Sequence, residues 1–95
     1  MLSKIPIELN KIGKEEINKE ILRVAIIAEL DAINLYEELA AITRDTKIKE
    51  VFIDVANEEK THVGEFLALL LKYDEKQVEE LEKGKKEVDD ILGGD

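Results

Sequence analysis

The chain has 95 residues, with 14 Lys and Arg against 23 Asp and Glu, a formal charge of −9, and no Cys. That length holds one small domain, and the lack of Cys excludes a disulfide framework, Cys-ligated zinc, an iron–sulfur cluster and a thiol nucleophile within it. The acidic balance argues against nucleic acid, whose binders neutralise phosphates with Lys and Arg, and the longest apolar run, residues 66–71, is far short of the ~20 needed to span a bilayer.

Residues 1–13 carry Ile5, Pro6, Ile7, Leu9 and Ile12 without a sustained helical period. Pro6 disfavours a helix beyond its own first turn, and nothing there resembles a secretory signal. An extended apolar arm, lying on another surface of a cytoplasmic protein, is expected. Gly13 is a weak N-cap, with Glu15 and Glu16 in the turn where the helix dipole favours acids. No Gly or Pro interrupts residues 14–43, the first expected helix. Arg44-Asp45-Thr46 reads as a turn in which Asp45 or Thr46 caps a second helix over 47–73. Asp74 with Gln77 has the spacing of a capping box and opens a third helix over 75–92, before Gly93-Gly94. That helix has a narrow apolar stripe (Val78, Leu81, Val88, Ile91) and Gly84 in its interior. The fold class is all-α: an antiparallel two-helix hairpin plus a short C-terminal helix.

The lengths already imply company. Each main helix would be roughly 40–45 Å long at 1.5 Å per residue, whereas a compact chain of this size has a radius of gyration of about 12–13 Å. Between Ile21 and Ile27 the first helix is apolar nearly all round, broken only by Arg23, and such helices are buried on several sides. Two helices cannot cover that surface alone, so a homo-oligomer is expected, with two hairpins dimerising into a four-helix bundle.

Polar residues on the packing seams then mark a site. The first helix carries a seam of Leu22, Ile26, Glu29, Ile33, Tyr36 and Ala40; the second carries Phe52, Val55, Glu59, His62, Phe66, Leu69 and Tyr73. Glu29 interrupts the first seam, and Glu59 and His62 the second. A buried carboxylate costs several kcal/mol unless paired, protonated or metal-bound. Glu59 and His62, three residues apart, lie on one helical face within reach of a single ion. Helical di-iron carboxylate sites take one Glu from each of two helices and a Glu-x-x-His from each of two others. One chain therefore holds half such a site. Two copies about a two-fold axis supply four carboxylates and two imidazoles, near neutrality with two divalent ions. Carboxylate with imidazole suits iron, manganese or zinc better than copper(I), magnesium or calcium; iron is preferred because paired redox ions in a helical bundle suggest oxygen chemistry.

Blander readings compete at each residue. A lone seam histidine is commonly a hydrogen-bonded core residue, and Glu-x-x-His alone arises by chance; Glu29 at the matching level of an antiparallel helix tips the balance. Tyr36 is either a hydrogen-bonding neighbour of a ligand or an aromatic filling the seam. Gly64, costly inside a helix, reads with Ala68 as a close backbone approach. Glu58, Glu65 and Asp31 lie off the seams and read as solvated face, or as transient holders of incoming iron.

The stretch Ala25-Ile26-Ile27-Ala28-Glu29-Leu30-Asp31-Ala32-Ile33-Asn34-Leu35-Tyr36-Glu37, followed by Glu58-Glu59-Lys60-Thr61-His62-Val63-Gly64-Glu65-Phe66, resembles the encapsulated ferritins, especially the ferritin-like domain preceding the shell domain in some archaeal encapsulin fusions. The resemblance implies a half-ferritin domain over 1–95 that builds a ferroxidase centre across a dimer interface, assembles as a decamer (a ring of five dimers), and oxidises Fe²⁺ with dioxygen for iron storage inside an encapsulin nanocompartment. It implies two Fe per dimer, with Glu29 and His62 as terminal ligands, Glu59 bridging, Tyr36 as the nearby tyrosine, and Asp31 in the family's iron-uptake role that Ala28 cannot fill. The encapsulin shell protein would be a partner in cis or in trans. The apolar docking peptide of many cargo proteins is missing before Gly93-Gly94-Asp95, as expected of a domain excised from a fusion. Two rivals remain: a rubrerythrin-like di-iron peroxidase drawing electrons from a partner, and a non-catalytic helical assembly module, with a zinc-binding dimer as a lesser variant.

Overall fold

A computed structural model describes residues 13–93, which form three helices: α1 (Lys14–Ile42), α2 (Thr46–Tyr73) and α3 (Glu75–Ile91). No strand occurs among the described residues. The arm expected at 1–13 lies outside them except for Gly13, whose extended backbone precedes α1.

The joints explain the boundaries. Thr43 leaves helical space with ψ 143°, so α1 stops at Ile42, one residue short of the expected end. The Thr43 N–H still reaches the Leu39 carbonyl at 3.1 Å, and its hydroxyl accepts from the Asp45 N–H at 3.2 Å. Asp45, rather than Thr46, caps α2: its Oδ1 accepts from the N–H groups of Lys47 at 2.9 Å and Ile48 at 3.0 Å. Such a cap contributes about 1 kcal/mol. Thr46 thus becomes the first helical residue, one earlier than expected, and α3 ends at Ile91, one earlier than expected.

The three-residue joint returns the chain antiparallel, and α1 and α2 make nearly all the tertiary contacts. Ile33 and Ala40 are buried where the α1 seam was expected. On α2 the closest-packed residues are Ala56, 1 % exposed, and Leu70, 3 % exposed, neither of which lies on the expected seam. Phe52, Val55, Glu59, His62, Val63 and Phe66 are half-buried, whereas Leu69 and Tyr73 are exposed. The expected seam of α2 is thus half-buried through Phe66 and runs out onto the exposed Leu69 and Tyr73, with Ala56 and Leu70 more deeply buried beside it. Leu69 and Tyr73 share an open groove with Ile21 and Leu22, and Ile48 and Val51 lie exposed farther along α2.

On the other side of the hairpin, Arg23, Ile26, Ile27, Leu67 and Leu70 line a groove closed by Gln77 of α3. Beyond that first turn α3 leaves the hairpin, with Val78, Leu81, Val88 and Ile91 exposed. The radius of gyration is accordingly 16.9 Å, against about 12–13 Å for a compact globule of this length. No helix of the described residues is long and apolar enough to cross a membrane. The close approach expected at Gly64 is not found among the described residues: a Cβ there, as at Gly84, would meet nothing within 4 Å of them.

Asp74 joins α2 to α3 and caps the latter, its Oδ1 accepting from the Gln77 N–H at 3.0 Å. That bond, with the Arg23 guanidinium on the other carboxylate oxygen, holds the Asp74 carboxyl below the usual carboxylate range. A carboxyl whose folded pKa lies below its unfolded value leaves the folded state with fewer protons, so stability rises with pH across that window. The contribution is complete above about pH 4 and is lost as the pH falls through the lowered folded value. Hydrogen exchange of the α3 amides is expected to accelerate in that acid range, and Asp74→Asn, which cannot titrate, should remove this pH dependence.

Candidate metal centre

Glu29 stands in the middle of α1, and Glu59 and His62 in the middle of α2; the antiparallel return brings the two levels together. His62 Nδ1 lies 3.3 Å from one Glu29 carboxylate oxygen and 3.5 Å from one of Glu59. One ligand atom from each of the three residues falls within 4.8 Å of the others. Two donors bound about 2.1 Å from one ion, at angles between tetrahedral and octahedral, stand about 3.0–3.4 Å apart. The two contacts of His62 Nδ1 lie close to that range, and carboxylate with imidazole is a donor set that iron, manganese and zinc accept.

The cluster is open on one side. The Glu29 and Glu59 side chains are 20 % and 19 % exposed, wedged in the seam, whereas His62 is 41 % exposed. His62 belongs to the flank that carries Leu69 one heptad away, the side bearing the groove of Ile21, Leu69 and Tyr73. The cluster thus opens toward the side of the hairpin that bears this groove, whereas Gln77 of α3 borders the other groove. A lone pair on Nδ1 directed at two carboxylates is repulsive, so a proton on Nδ1, donated to Glu29, satisfies the trio when no metal does.

The other candidates are placed differently. The Tyr36 ring stacks on Phe52 (centroids 6.0 Å apart, 18° between planes), and its hydroxyl makes no hydrogen bond to Glu29, Glu59 or His62 within the chain. Asp31 lies in a separate cleft on the outer side of α1, with Asn34, Leu35 and Glu38. Glu58 and Glu65 are exposed on α2 and do not join the cluster. Sequence reasoning missed the ion pair of Lys60 Nζ with Glu37 at 2.9 Å, which ties α2 to α1 beside Glu59. Its partners share no regular spacing across the two helices, so only the register of the hairpin reveals it.

Two long antiparallel helices with a carboxylate–imidazole cluster at mid-height define a ferritin-like half-bundle. A family model described as Rubrerythrin matches residues 20–90. The crystal structure of the encapsulated ferritin domain from Pyrococcus furiosus superposes with a TM-score of 0.84 at 52 % identity, covering 98 % of this chain and 97 % of that one. The chain belongs to the rubrerythrin family, in the company of the encapsulated ferritin domains. It is also 53 % identical, over 96 aligned residues, to the ferritin-like-encapsulin shell fusion protein of the same organism; the match takes in 98 % of this chain but only 28 % of that longer protein.

Proposed function

We propose that two copies of this chain pair through the open side of the hairpin, so that Glu29, Glu59 and His62 of each complete a two-metal ferroxidase centre. Fe²⁺ is the substrate, oxidised to Fe³⁺ with dioxygen as acceptor. The convergence of the three donors beside an exposed apolar face carries this reading, and the kinship with encapsulated ferritins supports iron as the metal. Bound iron supplies the redox chemistry. The chain supplies placement and charge. Glu29 and Glu59 are held in the seam with little freedom left to lose, and they offset the positive charge of the ion. Protons compete with the ion for these three donors, so binding weakens in acid. By analogy with the fusion relative, the oxidised iron is delivered for storage within an encapsulin shell, joined in cis or supplied in trans, and the assembly is the ring of five dimers that the resemblance implies.

Anaerobic Fe²⁺ titration followed by native mass measurement tests the half-site. One iron per chain, bound in pairs, is expected; iron bound without fixed stoichiometry would refute a shared centre. The matching family model gives weight to a second reading, a peroxidase that uses hydrogen peroxide. This chain has no Cys, so the electrons would come from another protein. Faster oxidation of bound Fe²⁺ by dioxygen than by equimolar peroxide separates the ferroxidase from that rival.

A further inference from the structure

One residue separates α2 from α3, and its carboxylate is used twice. Asp74 Oδ1 caps α3 at the Gln77 N–H, 3.0 Å away, while Oδ2 accepts from Arg23 Nη2 on α1 at 2.8 Å. The Asp74 side chain is only 10 % exposed, so the ion pair is largely sheltered from solvent at its acidic end. Arg23 is the one charged residue in the apolar stretch 21–27 of α1. The backbone at Asp74, with φ −134° and ψ 84°, lies just below the broad β region and has a negative φ, so no left-handed constraint fixes the joint. Sterics at the joint therefore do not dictate one angle. Past its first turn Val78, Leu81, Val88 and Ile91 of α3 are exposed, so among the described residues little packing fixes its direction.

We propose that the Arg23–Asp74 bridge is a latch that sets the direction in which α3 leaves the hairpin, and hence where the apolar stripe of α3 is presented relative to the metal face on the opposite side. The latch and the cap are separable functions of one carboxylate. Asn at position 74 keeps an acceptor for the Gln77 N–H, as Asn is among the best N-caps, but turns a donor toward the guanidinium. Opening the latch leaves α3 helical and lets it pivot at residue 74. None of this depends on what the metal face binds.

Because the chain has no Cys, Glu50→Cys on α2 and Lys86→Cys on α3, both exposed, accept spin labels at unique positions. Labelled chains diluted in unlabelled ones report only distances within a chain. With the latch intact a single narrow distance distribution is expected. Arg23→Ala and Asp74→Asn should each broaden and shift it while circular dichroism retains the helical content. The double variant should be no broader than either single, since both remove the same bond. A narrow, unshifted distribution in either single variant would overturn the proposal, as would broadening in the double that sums two independent effects.

Discussion

If the proposed centre is correct, Glu59→Ala or His62→Ala is expected to abolish rapid oxidation of Fe²⁺, while Glu58→Ala and Glu65→Ala are expected to leave the rate near that of the unaltered chain. The contrast follows from position on one helix. Glu59 and His62 converge with Glu29 within 4.8 Å, whereas Glu58 and Glu65 project to solvent. Losing a group that merely orients a ligand costs about 10–100-fold in affinity or activity. Removing a donor from every copy at once deletes two ligands from a shared centre, so the loss should exceed that range. Folding is not expected to confound the result, because His62 is exposed on the open flank and Glu59→Ala removes a carboxylate from a helix interior. Stopped-flow absorbance under aerobic mixing, with helicity checked in parallel, decides the matter. A rate near wild type in either ligand variant would contradict the assignment.

What the sequence disclosed depended on how many surfaces an element serves. On α1, the seam from Leu22 to Ala40 predicts the face that meets α2, and Ile33 and Ala40 are buried there. On α2 the same periodicity blends two faces. Ala56 and Leu70, its most buried residues, carry little periodic signal, one being small and the other a member of a leucine run, and the periodic seam ends instead on the exposed Leu69 and Tyr73. The pairing of Glu29 with Glu59 and His62 does not depend on this, since the antiparallel return sets the three at one level. The caps were legible because Asp45 and Asp74 act within three residues of themselves. The Arg23–Asp74 and Lys60–Glu37 pairs were not, being contacts across sequence separations that only the register of the hairpin defines. Gly64 shows the reverse limit. Its cost within a helix implies a close neighbour, and among the described residues there is none; nothing in their packing explains the choice of glycine there.

Association of the hairpins should depend on iron, and the sign can be argued. Two faces bearing Ile21, Ile48, Val51, Leu69 and Tyr73 favour pairing by removing apolar surface from water. Pairing also brings four carboxylates together, which repel or must take up protons unless a cation compensates them. Metal bound by the pair but not by the single chain therefore strengthens association by linkage: each ion held at a hundred times its dissociation constant adds about 2.7 kcal/mol, roughly a hundredfold in the association constant. Sedimentation velocity of iron-free protein should show dissociation at concentrations where anaerobic Fe²⁺ restores the pair, and a chelator should reverse it. Glu59→Ala separates repulsion from adhesion. With two fewer negative charges in the interface, the iron-free variant should associate more tightly than the iron-free wild type, yet gain nothing from Fe²⁺. Were apolar contact alone to set the pairing, both proteins would sediment alike with and without iron, and the carboxylates would have no part in holding the two copies together.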